Sequence, residues 1–216
     1  MVNKKILSML SVLICSVLLL QGCGTSTEQE TDQGASQSTE QKQATEGTAE
    51  DSVSLSDWDG TWNNLGAYLN DADVQTGFET LAKKENKDVA AAKAEYIEKR
   101  KADFNAMVVN GNTITFLDNF EDKDGKEIAK AEYEFVDKHK AKHGEEELEW
   151  DVFKAKDADA KYPVLLMMPV HGEEELIHFH MRYGKDAESL LNNNDWYPTF
   201  IKPSSTKDQI IDEISE

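Results

Sequence analysis

Hydrophobic positions change period several times along this chain, and each change predicts a different element. Residues 6–20 form a mostly apolar run behind Lys4 and Lys5. Residues 24–53 are Ser-, Thr-, Gln- and Glu-rich, without an aromatic side chain. From Asp73 to about Met107 apolar residues recur every three or four positions, with Val74, Gly77, Phe78, Leu81 and Ala82 on one stripe. The polar stretch 85–88 splits this into two helices, the second carrying Tyr96, Ile97 and Phe104 as its buried edge. Beyond residue 108 the period falls to two. Val108-Val109 and Thr113 to Leu117 flank Asn110-Gly111-Asn112, a strand–turn–strand signal. Residues 127–138, 147–153, 162–170 and 176–183 read as further strands. A short helix is predicted over 186–192, and residues 195–200 form an aromatic, Pro-bearing segment that packs across the sheet. A final helix over 204–214 has Ile210, Ile211 and Ile214 at helical spacing. Helices gathered in front of successive antiparallel strands give an α+β domain closed as a small barrel or strongly curved sheet.

The first two segments lie outside that domain. A positive start, an apolar run and Leu20-Gln21-Gly22-Cys23 resemble the signal and lipobox of bacterial lipoproteins. That resemblance implies cleavage before Cys23 and lipid on its thiol and new amine. The expected organisation is a signal peptide at 1–22, a disordered tether at 23–54 and a folded domain at 55–216. The tether cannot bury enough apolar surface to offset its chain entropy. Ser56-Asp57-Trp58-Asp59-Gly60-Thr61-Trp62 opens the domain. Trp58, Trp62 and Tyr68 are expected core anchors, with Ser56 or Asp57 capping a short helical turn.

Composition narrows the chemistry. The two cysteines are Cys15, inside the signal, and Cys23. The folded domain then has no thiol for a disulfide, a thiolate metal site or a nucleophile. A formal charge of −19 opposes nucleic acid binding and favours the approach of cations.

Three of the five histidines fall close together, at His171, His178 and His180. On a strand, His178 and His180 point to one face and Phe179 to the other. His171 lies across a Gly-Glu-Glu-Glu segment that reads as a hairpin turn. Three imidazoles with an open fourth position suit zinc. Satisfied polar residues on a strand explain the same spacing equally well. His139 and His143 form a second pair, read as exposed residues at the end of a strand, with a weak metal site as the alternative. No His-Glu-x-x-His helix, Gly-x-Ser-x-Gly elbow or phosphate-cradling glycine loop is present.

Several of these stretches, in order, resemble the ZinT (YodA) zinc-binding family. They are residues 56–62, the run His178-Phe179-His180-Met181-Arg182-Tyr183-Gly184, the run Asp195-Trp196-Tyr197-Pro198-Thr199-Phe200 and the final helix. The resemblance implies a lipocalin-like (calycin) antiparallel barrel with added N-terminal helices and a C-terminal helix. It also implies zinc held by three histidines at one barrel mouth. His178 and His180 match the family's strand pair. His171 matches its first ligand at a shorter separation, and Glu173, Glu174 or Glu175 can replace or add to it. Cadmium, nickel or copper fit the same shell. The function implied is zinc capture outside the cytoplasm, on a lipoprotein held to the outer face of a bacterial cell membrane, with delivery to a zinc ABC transporter or its substrate-binding protein. A carrier of a small apolar ligand and a three-histidine zinc hydrolase are the alternatives.

Overall fold

Eight antiparallel strands close into a barrel in simple chain order. The structure is a computed structural model that describes residues 53–143, 146–172 and 175–216, without the side chains of 142–146. The expected signal peptide, Cys23, the tether up to residue 52, Glu173, Glu174 and the His143 side chain lie outside the described residues. No described helix is long and apolar enough to cross a membrane.

The strands are β1 (Gly60–Asn64), β2 (Ala106–Asn110), β3 (Thr113–Leu117), β4 (Glu127–His143), β5 (Glu146–Ala155), β6 (Val164–Met167), β7 (His178–Gly184) and β8 (Thr199–Ile201). The helices are α1 (Gln75–Glu85), α2 (Val89–Arg100), α3 (Ala187–Leu191) and α4 (Lys207–Ser215). The β2–β3 turn uses Gly111 at φ +57°, as the Asn-Gly signal predicts. The helical stripe splits where expected. Asn86 ends α1 in the left-handed conformation, and the Asp88 carboxylate caps α2 by accepting from the Ala90 and Ala91 amides. Helix α2 stops at Arg100, short of Phe104, which packs into the barrel core instead.

Alternate residues of the strands fill the barrel. Trp62, Phe116, Tyr133, Phe153, Met181 and Phe200, from six different strands, share one buried core. Their rings meet edge-on or stacked, as with Trp62 on Phe179 at 4.7 Å and Phe104 on Phe200 at 5.3 Å. Among the described residues these side chains pack the lumen, which leaves little room there for a carried apolar ligand.

The sequence reading missed both strands at the seam. β1 contains Trp62 where only an anchoring residue was expected, and β8 overlaps the end of the segment read as packing across the sheet. β8 pairs with β7 through His178↔Ile201 and His180↔Thr199, and with β1 through Asn63↔Ile201. The opening turn is capped by Ser54, with Asp57 completing the reciprocal box, rather than by Ser56 or Asp57 alone. Trp58 and Trp62 are buried; Tyr68 is half-buried and stacks on Phe120 at 4.8 Å.

A second apolar layer covers the outer wall near β8. Phe78 and Leu81 of α1, Tyr96 of α2, and Ile210 and Ile214 of α4 pack with Leu176 and Ile201. Gly77 lets α1 and α4 approach, since a Cβ there would lie 2.9 Å from Ile214 Cβ. Burying Ile210 and Ile214 contributes about 1.5–3 kcal/mol each, which holds α4 against the barrel.

Candidate metal centre

β7 alternates strictly. Phe179, Met181 and Tyr183 face the barrel core, so His178, His180 and Arg182 face outward. The two histidines thus share a face, as their spacing predicts. Within the family-implied mouth region, they stand at the start of β7 on the outer wall rather than over the lumen. His171 is brought to them by one antiparallel bridge. Its amide donates to the His178 carbonyl, and the His178 amide donates back to the His171 carbonyl, both at 3.0 Å. Residues opposed in this way present their side chains on one face. The short connection closes tightly: Gly172 has φ +82°, and a Cβ there would lie 2.0 Å from the Leu176 carbonyl oxygen. A glycine is required at that point.

The three rings form a triangle with centroids 4.0 Å (His171–His178), 5.3 Å (His178–His180) and 5.7 Å (His171–His180) apart. One ring nitrogen of each lies within 4.8 Å of the other two. Tetrahedral zinc with bonds of about 2.0–2.1 Å wants nitrogens about 3.4 Å apart, so the widest pair closes by about 1.4 Å or less. The more exposed His171 is the ring with most freedom to move.

Hydrogen bonds settle which nitrogen of each ring carries the proton. His171 Nδ1 lies 2.9 Å from the Pro169 carbonyl, and His178 Nδ1 lies 2.7 Å from the Leu176 carbonyl. A carbonyl only accepts, so both Nδ1 atoms carry the proton and donate. His180 Nδ1 lies 3.1 Å from Thr199 Oγ1, and that hydroxyl donates to the Tyr197 carbonyl at 3.0 Å. The Thr199 proton is committed, so His180 Nδ1 also donates. All three Nε2 atoms therefore keep a lone pair, the form in which imidazole binds metal. Withdrawal from water, with His178 adding to it, holds the His180 pKa well below the usual histidine value. The same desolvation lowers that of His171, opposed by the Pro169 carbonyl.

Sequence reasoning missed Glu213. This buried acid of α4 places Oε2 4.0 Å from His178 Nε2. Its other oxygen lies 3.7 Å from the Arg100 guanidinium, which stacks on Tyr96 at 3.6 Å. Tyr96 in turn donates to the Glu213 carbonyl. A carboxylate so held stands beside the histidine cluster. One signal for it existed: Glu213 sits three residues after Ile210 and one before Ile214, on the stripe that α4 buries. Glu175 is exposed and lines the cleft with Asp212 and Glu216, while its carbonyl accepts from the Gln209 side chain and ties the histidine loop to α4. His139 is exposed on β4, opposite Trp150, and is not part of the cluster.

Comparison with known proteins places the chain in a family. The family model described as "ZinT (YodA) periplasmic lipocalin-like zinc-recruitment" matches residues 38–216. The zinc-binding protein AdcA of Streptococcus pyogenes serotype M1 is 29% identical over 168 residues, 74% of this chain and 32% of AdcA. The probable metal-binding protein YrpE of Bacillus subtilis (strain 168) is 25% identical over 157 residues, 68% of this chain and 57% of YrpE. The chain thus spans about a third of the first relative and somewhat over half of the second. The crystal structure of the Zn(II)-bound ZinT-like domain of Streptococcus pneumoniae AdcA superposes with a TM-score of 0.61 at 24% identity, over 78% of this chain and 93% of that domain. An eight-stranded antiparallel barrel with three clustered histidines, matched over most of its length, belongs to the ZinT (YodA) family of lipocalin-like zinc-recruitment proteins.

Proposed function

We propose that this protein captures one zinc ion outside the cytoplasm through Nε2 of His171, His178 and His180, and passes it on for import. The observation that carries the reading is the shared hydrogen-bonding pattern of the rings. Each Nδ1 donates to oxygen, so three Nε2 lone pairs are left for a shared cation. Glu213 supplies or shields the fourth position. A carboxylate able to close the shell favours holding the ion over catalysis, because catalytic zinc keeps one position open for water. The filled lumen counts against the apolar carrier.

Processing before Cys23 and lipid on its sulfur would hold the domain through the tether at the outer face of the cell membrane, a reading that rests on the Leu20-Gln21-Gly22-Cys23 resemblance alone. Delivery to a zinc ABC transporter, directly or through its substrate-binding protein, is the route the family resemblance implies. The test of capture is competition for zinc against a chromophoric chelator, on wild type and on H171A/H178A/H180A. Wild type should take up one equivalent and the triple variant none at the site; equal uptake by both would refute the assignment. Intact-mass measurement of protein from a bacterial membrane tests the anchor. A mass starting at Cys23 with added acyl chains supports it, and a chain retaining residues 1–22 contradicts it.

A further inference from the structure

Arg182 follows His180 by two residues on the outer face of β7, yet it never reaches solvent. It is 1% exposed, and among the described residues no carboxylate lies within ion-pair distance of it. A buried cation without a counter-ion is costly, so its other contacts must offset the desolvation. Those contacts are oriented. Nε donates to the Trp196 carbonyl at 2.9 Å. Nη1 donates to the Leu190 carbonyl at 2.9 Å and the Leu191 carbonyl at 3.4 Å. The guanidinium also lies against two neighbouring rings, Trp150 at 4.5 Å and Tyr197 at 4.6 Å.

Every one of these partners except Trp150 lies in the segment that leads into β8. The same segment is pinned to the end of α2, where the Tyr197 amide donates to the Lys99 carbonyl and Trp196 Nε1 donates to the Lys101 carbonyl. Its output is the Tyr197 carbonyl. That oxygen accepts from the Thr199 hydroxyl, which accepts from His180 Nδ1. Thr199 is 0% exposed, so no water can take its place.

We propose that Arg182 and Thr199 are positioning residues of the zinc site. Arg182 clamps residues 190–197, the clamp fixes the Tyr197 carbonyl, and the carbonyl orients the Thr199 hydroxyl so that it can only accept from His180. His180 is thereby locked with Nε2 facing the other two rings. Neither residue touches the ion. His171 and His178 take their Nδ1 partners from the backbone of their own loop, so His180 alone depends on this side-chain relay. The inference rests on the three-histidine reading.

The test measures zinc affinity by chelator competition, and the His180 tautomer by long-range proton–nitrogen NMR of the metal-free protein. T199V keeps the shape and removes the acceptor. R182K keeps the charge, so any repulsion of the incoming cation is unchanged, and removes the planar fork. Both should weaken zinc binding by about tenfold or more, in the range found when the outer partner of a metal-bound histidine is lost. The His180 Nδ1–H signal should lose its protection from exchange in both, while those of His171 and His178 stay as in wild type. Y197L, which removes one of the two rings against the guanidinium and keeps the backbone carbonyl, repeats the Arg182 test if R182K does not fold. Variants that fold, bind zinc as wild type does and keep a protected His180 Nδ1–H overturn the proposal. A wild type that takes up no zinc defeats the three-histidine reading itself.

Discussion

Each imidazole in the proposed centre is aimed by its Nδ1, which donates to oxygen. This makes the three rings unequal in their dependence on neighbours but equal in the lone pair they offer. H171A, H178A and H180A should each lower zinc affinity by about 100-fold or more, exceeding the loss expected for an outer partner. Chelator competition on the folded variants checks this. A pH dependence follows from the direction of the shifts. The pKa values of His171 and His180 are depressed in the folded, metal-free protein, so both stay neutral below the ordinary histidine range. Proton competition with zinc at these two rings should therefore set in below pH of about 6.5. The same depression makes the unfolded chain bind more protons than the folded one between the two sets of values. Metal-free stability from these groups is present above about pH 6.5 and is lost as pH falls through the depressed values. Urea unfolding at stepped pH should show this decline, and a stability that rises on acidification through that window would contradict it. At this scale the sequence was informative. His178 and His180 followed from strand alternation, and His171 from proximity. Nδ1 partners were not legible, because two are carbonyls of the chain's own loop and one is a hydroxyl on another strand.

Among the elements, the short loop between His171 and β7 and the helix α4 govern the site. G172A should distort the loop, since alanine at φ +82° would be strained and its Cβ would overlap the Leu176 carbonyl. The expected cost is about 1–3 kcal/mol in stability, with weakened zinc binding through displaced His171. Thermal unfolding and zinc competition on G172A test both parts. E213Q keeps the size of the side chain and removes its charge. If the carboxylate closes the shell, E213Q should bind zinc about tenfold more weakly with the three histidines intact; unchanged affinity would assign the fourth position to water. The shared face of β7 and the apolar stripe of α4 could be read from their periods. What could not be read was that the two elements meet, because 33 positions and a whole barrel strand separate Glu213 from His180. The seam strands β1 and β8 were equally hidden. Three residues in β8, and the polar Asn63 and Asn64 in β1, are too few to display an alternating pattern.

Across the whole molecule, an acidic chain carries its histidine cluster on the outside wall of a barrel whose inside is solid. The cleft beside α4, lined by Glu175, Asp212 and Glu216, opens onto His171 and His178 and would be the route of an ion to the proposed site. The net charge of −19 raises the local concentration of cations there, an effect that should fade with added salt. Because zinc would join the loop, β7 and α4, it should stabilise the folded domain as a whole. Free zinc at about 100 times its dissociation constant adds about 2.7 kcal/mol. A melting temperature that rises with zinc in wild type and stays fixed in H171A/H178A/H180A is the expected outcome. The barrel class and its flanking helices were visible in the switch from helical to alternating period. Closure was one of the two expected forms, but the β1–β8 pair that joins the ends of the sheet could not be read.

The most direct measurement is a zinc-edge anomalous difference map from crystals of the zinc-loaded protein. The account predicts one dominant peak about 2.0–2.1 Å from Nε2 of His171, His178 and His180 together. A dominant peak on the Nδ1 side of any of these rings, or one at His139 with the three-histidine cluster empty, would contradict it.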